Sequence, residues 1–495
     1  LTVIIAFIFA VTISNTIAKE APAIGTLRAS GYTRGELTRH YLAMPVIVTL
    51  LAAVVGNILG YTVFKNVVVD MYYNSYSLPA YQTVWNPQAF VKTTVIPVAL
   101  MLVVNLLIIT RTMRRTPLEF LRRQLKKSRR KKAVRLPPWR FFARFRLRII
   151  FQNVSNYVIL FLGVFFVMVL LAMAVGMPST LAYYQDNSAN MIFAKYQYVL
   201  KDYEDEDGHA VTTAIDGAEK FSLSTLLHRS DVLDEEVSVY GVEPDSRYVL
   251  CPGLADLTGS RVYITQSFSD KYGIQVGDAV TLDEKYENKS YTFTVSGLYD
   301  GSQSIAVFMP IAEFRETFDQ DGNAFSGFFS DAELTDLDPD NVATVVTIRD
   351  IQKMADQLDH SMGSYMTYFQ YLCILLSAVM IYLLTKLIIE KNENAISMVK
   401  ILGYRTGEIA RLYLLSTTIV LVLADAVSVF LGAAVMKTAW RAIMAGYSGW
   451  FDFRMEPVGY VKMFVFVLIG YLLVLGLDFR RIQKVPLDRA LKGAE

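Results

Sequence analysis

With two cysteines and four histidines among 495 residues, the chain lacks the material for a disulfide framework or a zinc centre. Cys251 lies in a polar stretch and Cys373 in an apolar run, and His40, His209, His228 and His360 are scattered, never at metal-ligand spacing. No G-x-x-x-x-G-K-[ST] loop is present to cradle a nucleotide's phosphates. Nor is there a G-x-S-x-G elbow or an H-E-x-x-H helix to arm a hydrolase. These absences point away from intrinsic ATP, ester or peptide hydrolysis, and no cofactor or metal is expected in the chain.

What the chain has instead is apolar surface: 53% of its residues are hydrophobic, against 19% charged. That mixture is too apolar for a soluble protein and too charged for a bare membrane bundle, so spans plus a water-facing domain are expected. Seven spans are predicted, at about 1–17, 41–64, 94–110, 157–177, 368–385, 412–436 and 458–477. Aromatic-rich loops follow the second (Tyr72, Tyr73, Tyr76, Tyr81, Trp85) and the sixth (Trp440, Tyr447, Trp450), as at a membrane–water interface. The chain opens at Leu1 inside an apolar run, with neither Met nor a basic n-region, so a fragment of a longer protein is expected rather than a signal peptide.

The charge is sharply partitioned. Residues 111–148 hold 16 Lys or Arg against the single acid Glu119, whereas residues 178–365 hold 33 acids and 12 bases. A basic run between two spans marks the cytoplasmic side, which is a better account than a nucleic-acid patch; no nucleic-acid partner is expected. The end of that run, 139–153, mixes Phe, Ile and Arg at helical spacing, as in an amphipathic helix resting on lipid headgroups. Residues 178–365 are then extracytoplasmic. Strand-like segments (YQYVL, VSVYGV, RVYIT, AVTL, YTFTVSGLY, SIAVFMP) alternate there with helical stretches at 265–272 and 311–318, predicting an α+β domain. The acidic loop 331–340 lacks the glycine turn of a calcium loop and reads as solvated.

One segment occurs twice. Residues 391–414, KNENAISMVKILGYRTGEIARLYL, match residues 19–42, KEAPAIGTLRASGYTRGELTRHYL, at ten of 24 positions. Each copy is a polar elbow between apolar runs and falls on the cytoplasmic side. The first should stop its helix at Gly31, a left-handed C′ residue, and start another with Thr33 as N-cap and Glu36 as the capping-box partner. In the second copy Arg405 replaces Thr33, so that cap is not expected to be preserved. The repeat also closes alike, with Pro117-Leu118-Glu119 after the third span and Pro486-Leu487-Asp488 after the last. Identity at surface positions so far apart suggests two equivalent docking points for a pseudo-symmetric partner, such as a dimeric cytoplasmic motor. One charge lies deep in a span, Asp425, opposite Ala53 in the first copy. It reads either as a proton or substrate contact or as a carboxyl hydrogen-bonded to a neighbouring helix through Asn57 or Asn105.

The repeated module, with its I-x-x-[LV]-[RK]-x-x-G-[YA] elbow and closing P-[LI]-[ED], resembles the FtsX-like/MacB-like permeases of ABC transporters. The outer domain adds a second likeness. Its Tyr272-Gly273-Ile274-Gln275-Val276-Gly277-Asp278, followed by Thr294-Val295-Ser296-Gly297, is similar to the MacB-type periplasmic core. Met44 and Ser416 stand near the place where family members often carry an acid, so no role is assigned there. The resemblance implies an α-helical integral membrane protein of the bacterial cytoplasmic membrane, with about seven helices seen, eight expected in the full module pair, and an inserted α+β extracytoplasmic domain. It divides the chain into a first module (1–121), a basic linker with its interfacial helix (122–156), a span (157–177), the outer domain (178–365) and a second module (366–495).

The resemblance further implies a separate cytoplasmic ABC ATPase dimer, carrying ATP and magnesium, docked on the two elbows as coupling helices. Its contacts would centre on Ile24, Arg28, Gly31, Tyr32 and Glu36, with Ile396, Lys400, Gly403, Tyr404 and Glu408. Movement would pass through the spans to the outer domain and export a peptide, antibiotic, lipid or lipoprotein. Membrane lipids and an extracytoplasmic protein bound to 178–365 are the other expected partners. Two alternatives are a non-transporting regulator of cell-wall hydrolases and a membrane sensor without an ATPase. The matched elbows argue against the sensor, which needs no such pair.

Overall fold

Six helical stretches among the described residues are long and apolar enough to cross a membrane: Arg34–Asp70, Pro87–Met113, Asn156–Asp186, Tyr365–Glu390, Thr406–Met444 and Pro457–Gln483. They coincide with six of the seven expected spans. The remaining one, at 1–17, falls mostly outside the residues that the computed structural model describes, which are 10, 13, 14, 16, 17, 20–73, 79–121, 138, 141–187 and 192–487. These residues form two units: one of Leu1–Ala174, Ser364–Ala433 and Tyr460–Glu495, the other of Val175–Gly363 and Ala434–Gly459.

In the first unit the elbow helix α1 (Ala21–Ala29) leads into α2 (Arg34–Leu59), which a π-turn joins to α3 (Lys65–Tyr73). The return path is α4 (Pro87–Phe90), a second π-turn and α5 (Ile96–Met113), closed by the short α6 (Pro117–Leu121). Asn57 Nδ2 donates to Thr94 Oγ1 at 2.7 Å, a polar tie between the two hairpin arms. The expected interfacial helix is α7 (Phe141–Gln152); its Ile149 is buried and its Phe145 ring meets Tyr413 edge-on. The separate span is α8 (Val154–Asp186), which leads to the outer domain; the second module follows that domain, in helices named below.

The outer domain's sheet comprises β1 (Tyr196–Leu200), β2 (Glu219–His228), β3 (Glu235–Val242), β4 (Arg261–Thr265), β5 (Ala279–Asp283), β6 (Ser290–Tyr299), β7 (Ala306–Pro310), β8 (Gly327–Ser330) and β9 (Val342–Thr347), with helices α9 (Gln266–Tyr272) and α10 (Ile311–Thr317). Strands β3, β7, β4, β6, β5 and β2 close on themselves, because β2 pairs along its length with β3 and touches β5 at Leu227↔Asp283. The near end of β2 carries β8, β1 and β9 as an extension. Strands β3 and β7 pair in parallel, as do β4 and β6, with α9 in the connection between β4 and β6 and α10 directly after β7, which makes the domain α+β as expected. Its core is aromatic: Phe221 stacks on Phe329 at 4.3 Å, and Tyr240 and Phe308 complete the cluster.

The Tyr272–Asp278 motif has a plain backbone role. Thr265 Oγ1 caps α9 through Phe268 N, and Gly273, at φ 71°, ends it in the left-handed region. Asp278 then holds the turn by accepting from Gln275 N at 2.7 Å. In the acidic loop, Asp336 accepts from Ala214 N at 2.6 Å and from Thr213 Oγ1, bonds that hold its pKa below the usual carboxylate value.

His228 ends β2 against Tyr272, ring centroids 4.3 Å apart, and burial holds its imidazole below the usual pKa despite the opposing influence of Thr281's backbone and Glu235. The folded chain therefore resists the proton that the unfolded chain accepts. Stability should fall as pH drops below about 6.5, the unfolded value. Thermal melts of the full chain in detergent should show a loss between pH 7.5 and 5.5 that His228→Phe reduces; an unchanged loss would mean that another group is responsible.

Four more helices follow among the described residues: α11 (Ile348–Lys391), the second elbow helix α12 (Glu393–Ile401), α13 (Thr406–Met444) and α14 (Pro457–Gln483). Close packing in the bundle relies on small residues, as it must where lipid competes equally for apolar faces. A Cβ on Gly432 of α13 would lie 2.9 Å from Met168, and one on Gly470 of α14 would lie 2.3 Å from Ser377 Oγ.

Candidate functional site

The two elbows fold alike because their shared glycine and tyrosine direct the same helix ending. Gly31 (φ 104°) donates to Arg28 O at 3.3 Å and Tyr32 N to Leu27 O at 3.1 Å; Gly403 (φ 87°) donates to Lys400 O at 3.0 Å and Tyr404 N to Val399 O at 3.4 Å. Those paired bonds are a Schellman ending, and only glycine takes that φ without strain. The next helix starts in a capping box in the first copy: Thr33 Oγ1 accepts from Glu36 N at 3.3 Å, and Glu36 accepts from Thr33 N at 2.8 Å. Arg405 does remove the side-chain cap in the second copy, as expected. The reciprocal half survives, since Glu408 still accepts from Arg405 N at 2.9 Å.

Each elbow is anchored on its own module's closing segment. Thr116 and Glu119 form a capping box that starts α6, whose Phe120 is fully buried beside Ile24 and Ile17. A Cβ on Gly25 would meet Leu121 at 2.9 Å, so α1 and α6 touch backbone to side chain. In the second copy Ser397 stands at the place of Gly25 and donates to Pro486 O at 3.0 Å and Leu487 O at 2.9 Å. The Pro-Leu-acid ending is thus the seat on which each elbow rests; Asp488 itself lies outside the described residues.

This anchoring divides the ten residues predicted to meet a partner. Ile24 and Ile396 have no exposed surface and sit in their modules' cores, so they cannot belong to an outer contact face. Arg28 donates through Nη1 to Met113 O at 3.0 Å and to Arg115 O, and Lys400 donates to Gln483 O and Val485 O at 3.0 and 2.7 Å. Both cations therefore neutralise carbonyls at the C-terminal ends of α5 and α14, and burial draws Lys400 below the usual lysine pKa. Glu36 and Glu408 are exposed but engaged in their helix starts. Gly31, Tyr32, Gly403 and Tyr404 form the exposed tips.

Residues missed in the sequence flank those tips. Leu27 in the first elbow, and Met398, Ile401 and Leu402 in the second, present large apolar surface, with Leu402 70% exposed. The signal was available: α12 has more apolar positions than one buried stripe can use, with Ile396 inward and Met398 and Ile401 outward. The second tip is thus an apolar patch on an anchored turn, whereas the first presents Leu27 and Tyr32 beside Thr26, Ala29 and Ser30.

Asp425 of α13 is fully buried, and neither carboxylate oxygen finds a hydrogen-bond partner among the described residues; the same holds for Ser428 Oγ one turn later. The two asparagines expected as partners bond elsewhere. Asn57 bonds Ala53 O and Thr94, and Asn105 Nδ2 bonds Met101 O at 2.8 Å.

Comparison with protein-family models gives two matches. The model described as FtsX-like permease C-terminal matches residues 1–117 and again 368–487, so it recovers both copies of the repeat. The model described as MacB-like periplasmic core domain matches residues 156–358. No curated protein sequence matches the chain.

Proposed function

Because the chain is an FtsX/MacB-type ABC permease, we propose that its two elbow tips seat a separate cytoplasmic ATPase dimer, which drives a conformational change in the outer domain. The chain is a multi-pass cell-membrane protein, and permeases of this type are typically non-enzymatic transmembrane subunits. The observation that carries the coupling role is the pair of Schellman-ended tips, each fastened to the closing segment of its own module. A partner with two equivalent grooves could grip both at once, and the carbonyl anchors would turn its closure into displacement of α5 and α14. The cargo class is a peptide, antibiotic, lipid or lipoprotein delivered outside the membrane.

The test is to co-purify the chain with a Walker-type ATPase and measure vanadate-sensitive hydrolysis. Gly403→Val forces a β-branched residue into φ 87°, at a cost of about 1–2 kcal/mol that distorts the tip. Stimulation of hydrolysis should fall about tenfold, the equivalent of 1.4 kcal/mol. If this variant and Glu408→Ala both assemble and stimulate like the native chain, the coupling role is wrong.

A further inference from the structure

Polar groups withdrawn from water cluster at the outer loop between α13 and α14, residues 445–456. Beneath it lies an ion pair between Lys271 at the end of α9 and Glu235 at the start of β3, with Nζ and Oε2 2.7 Å apart and both side chains almost wholly buried. Glu235 Oε2 also accepts from Tyr272 OH at 2.6 Å, while Oε1 accepts from Gly449 N at 2.5 Å. Lys271 Nζ donates to Tyr447 O at 2.8 Å and to Gly449 O at 3.1 Å. The pair thus binds three backbone groups of the loop. Gly449 (φ 84°) makes the turn that aims its N–H and C=O at opposite charges.

The loop's other flank is held as firmly by the outer end of α8. Thr180 Oγ1 donates to Arg454 O at 2.8 Å and accepts from Arg454 N at 3.0 Å. Asp452 N donates to Tyr184 OH at 2.7 Å, and Trp440 Nε1 reaches Phe451 O at 2.7 Å. Trp450 is buried, and Phe453 lies so close to Gly176 that a Cβ there would overlap its ring.

A simple connection between two helices needs none of this. Burying a lysine and a carboxylate is costly unless both are fully bonded, and here the remaining bonds are made to the loop. We propose that residues 445–456 are a transmission strap, and that Glu235 and Lys271 are positioning residues that make the outer domain follow displacement of α13 and α14. The strap deepens the proposed function and rests on it. It also explains why the α9 helix end that carries Lys271 runs directly into the Gly273–Asp278 motif. That motif fixes where the helix stops and hence where the ammonium points.

The experiment uses the full chain with its ATPase in nanodiscs, comparing native protein with the charge-free pair Glu235→Gln/Lys271→Met and with the milder Tyr272→Phe. Hydrogen exchange without nucleotide reads the clamp itself: amides 447–450 should exchange at least about tenfold faster in the double variant. Exchange across β3 and α9 with ATP and vanadate reads transmission. The native domain should respond to nucleotide. The double variant should not, although its ATP hydrolysis stays within about twofold of native. Tyr272→Phe keeps the ion pair and should lie between, which preserves the test if the double variant misfolds. An unaltered nucleotide response in the variants overturns the strap and leaves the coupling role intact. A native complex that neither assembles nor hydrolyses ATP overturns the coupling role, and the strap with it.

Discussion

Leu402→Asp will weaken association with the ATPase about 30-fold or more, the largest single loss expected at either elbow. Leu402 is 70% exposed, and Met398 and Ile401 beside it are about half exposed, on a tip whose backbone is fixed by its Schellman ending and by the Lys400 and Ser397 anchors. Such a knob suits a groove, because it is already ordered and loses little entropy on binding. A buried anchor of this kind is worth about 2 kcal/mol or more, and a carboxylate adds its own desolvation cost. The control is Lys400→Met. It removes the two carbonyl bonds inside the module, so it should lower the melting temperature of the isolated chain more than Leu402→Asp does. Titration of detergent-solubilised chain against ATPase separates the two. Native affinity in Leu402→Asp would place the contact elsewhere.

The roles of these two neighbours show where sequence reading reached and where it stopped. The repeat, the elbow glycines, the Thr33 capping box and six spans were legible because each depends on local pattern: periodicity, a φ only glycine tolerates, a cap three residues from its partner. Ile24 and Arg28 were named as partner contacts from the repeat alone, because a shared residue is shared whether it binds a partner or anchors the elbow. Only the position of Phe120, Met113 and Arg115 decides between these, and that is a long-range fact. Strands β2, β8 and β9 were overlooked for related reasons. β2 alternates weakly, with Ser222, Ser224 and Thr225 interrupting the apolar positions, and β8 has four residues, held in the sheet by Phe328 and Phe329. The start of α11 at Ile348 was hidden because its first turns are polar and the apolar stretch follows later. The clamp of Glu235 and Lys271 left no trace, since a lysine and a glutamate 36 residues apart look like any surface pair.

Asp425 is a buried acid that the first module lacks at the equivalent place, and its removal will stabilise the chain. Its carboxyl is fully buried in a membrane span, with neither oxygen partnered among the described residues, and Asn57 and Asn105, the obvious donors, are bonded to their own neighbourhoods. A buried polar group without a partner costs about 1–3 kcal/mol, and a charged one near mid-membrane about as much or more. The first module solves the same position with Ala53. Asp425→Ala should therefore raise the melting temperature of the solubilised chain by several degrees, equivalent to about 1–3 kcal/mol less the small cavity left behind. Asp425→Asn, which keeps the polarity, should gain much less. The pair of variants also separates the two roles open to this residue. A carboxyl retained for a proton or substrate contact gives an Asp425→Ala chain that is more stable yet loses transport with its ATPase stimulation intact. A merely tolerated carboxyl gives a more stable chain that works as before. A fall in stability would mean that Asp425 has a donor in the assembled bundle, and that Ala53 and Asp425 face different neighbours despite their equivalent places in the repeat.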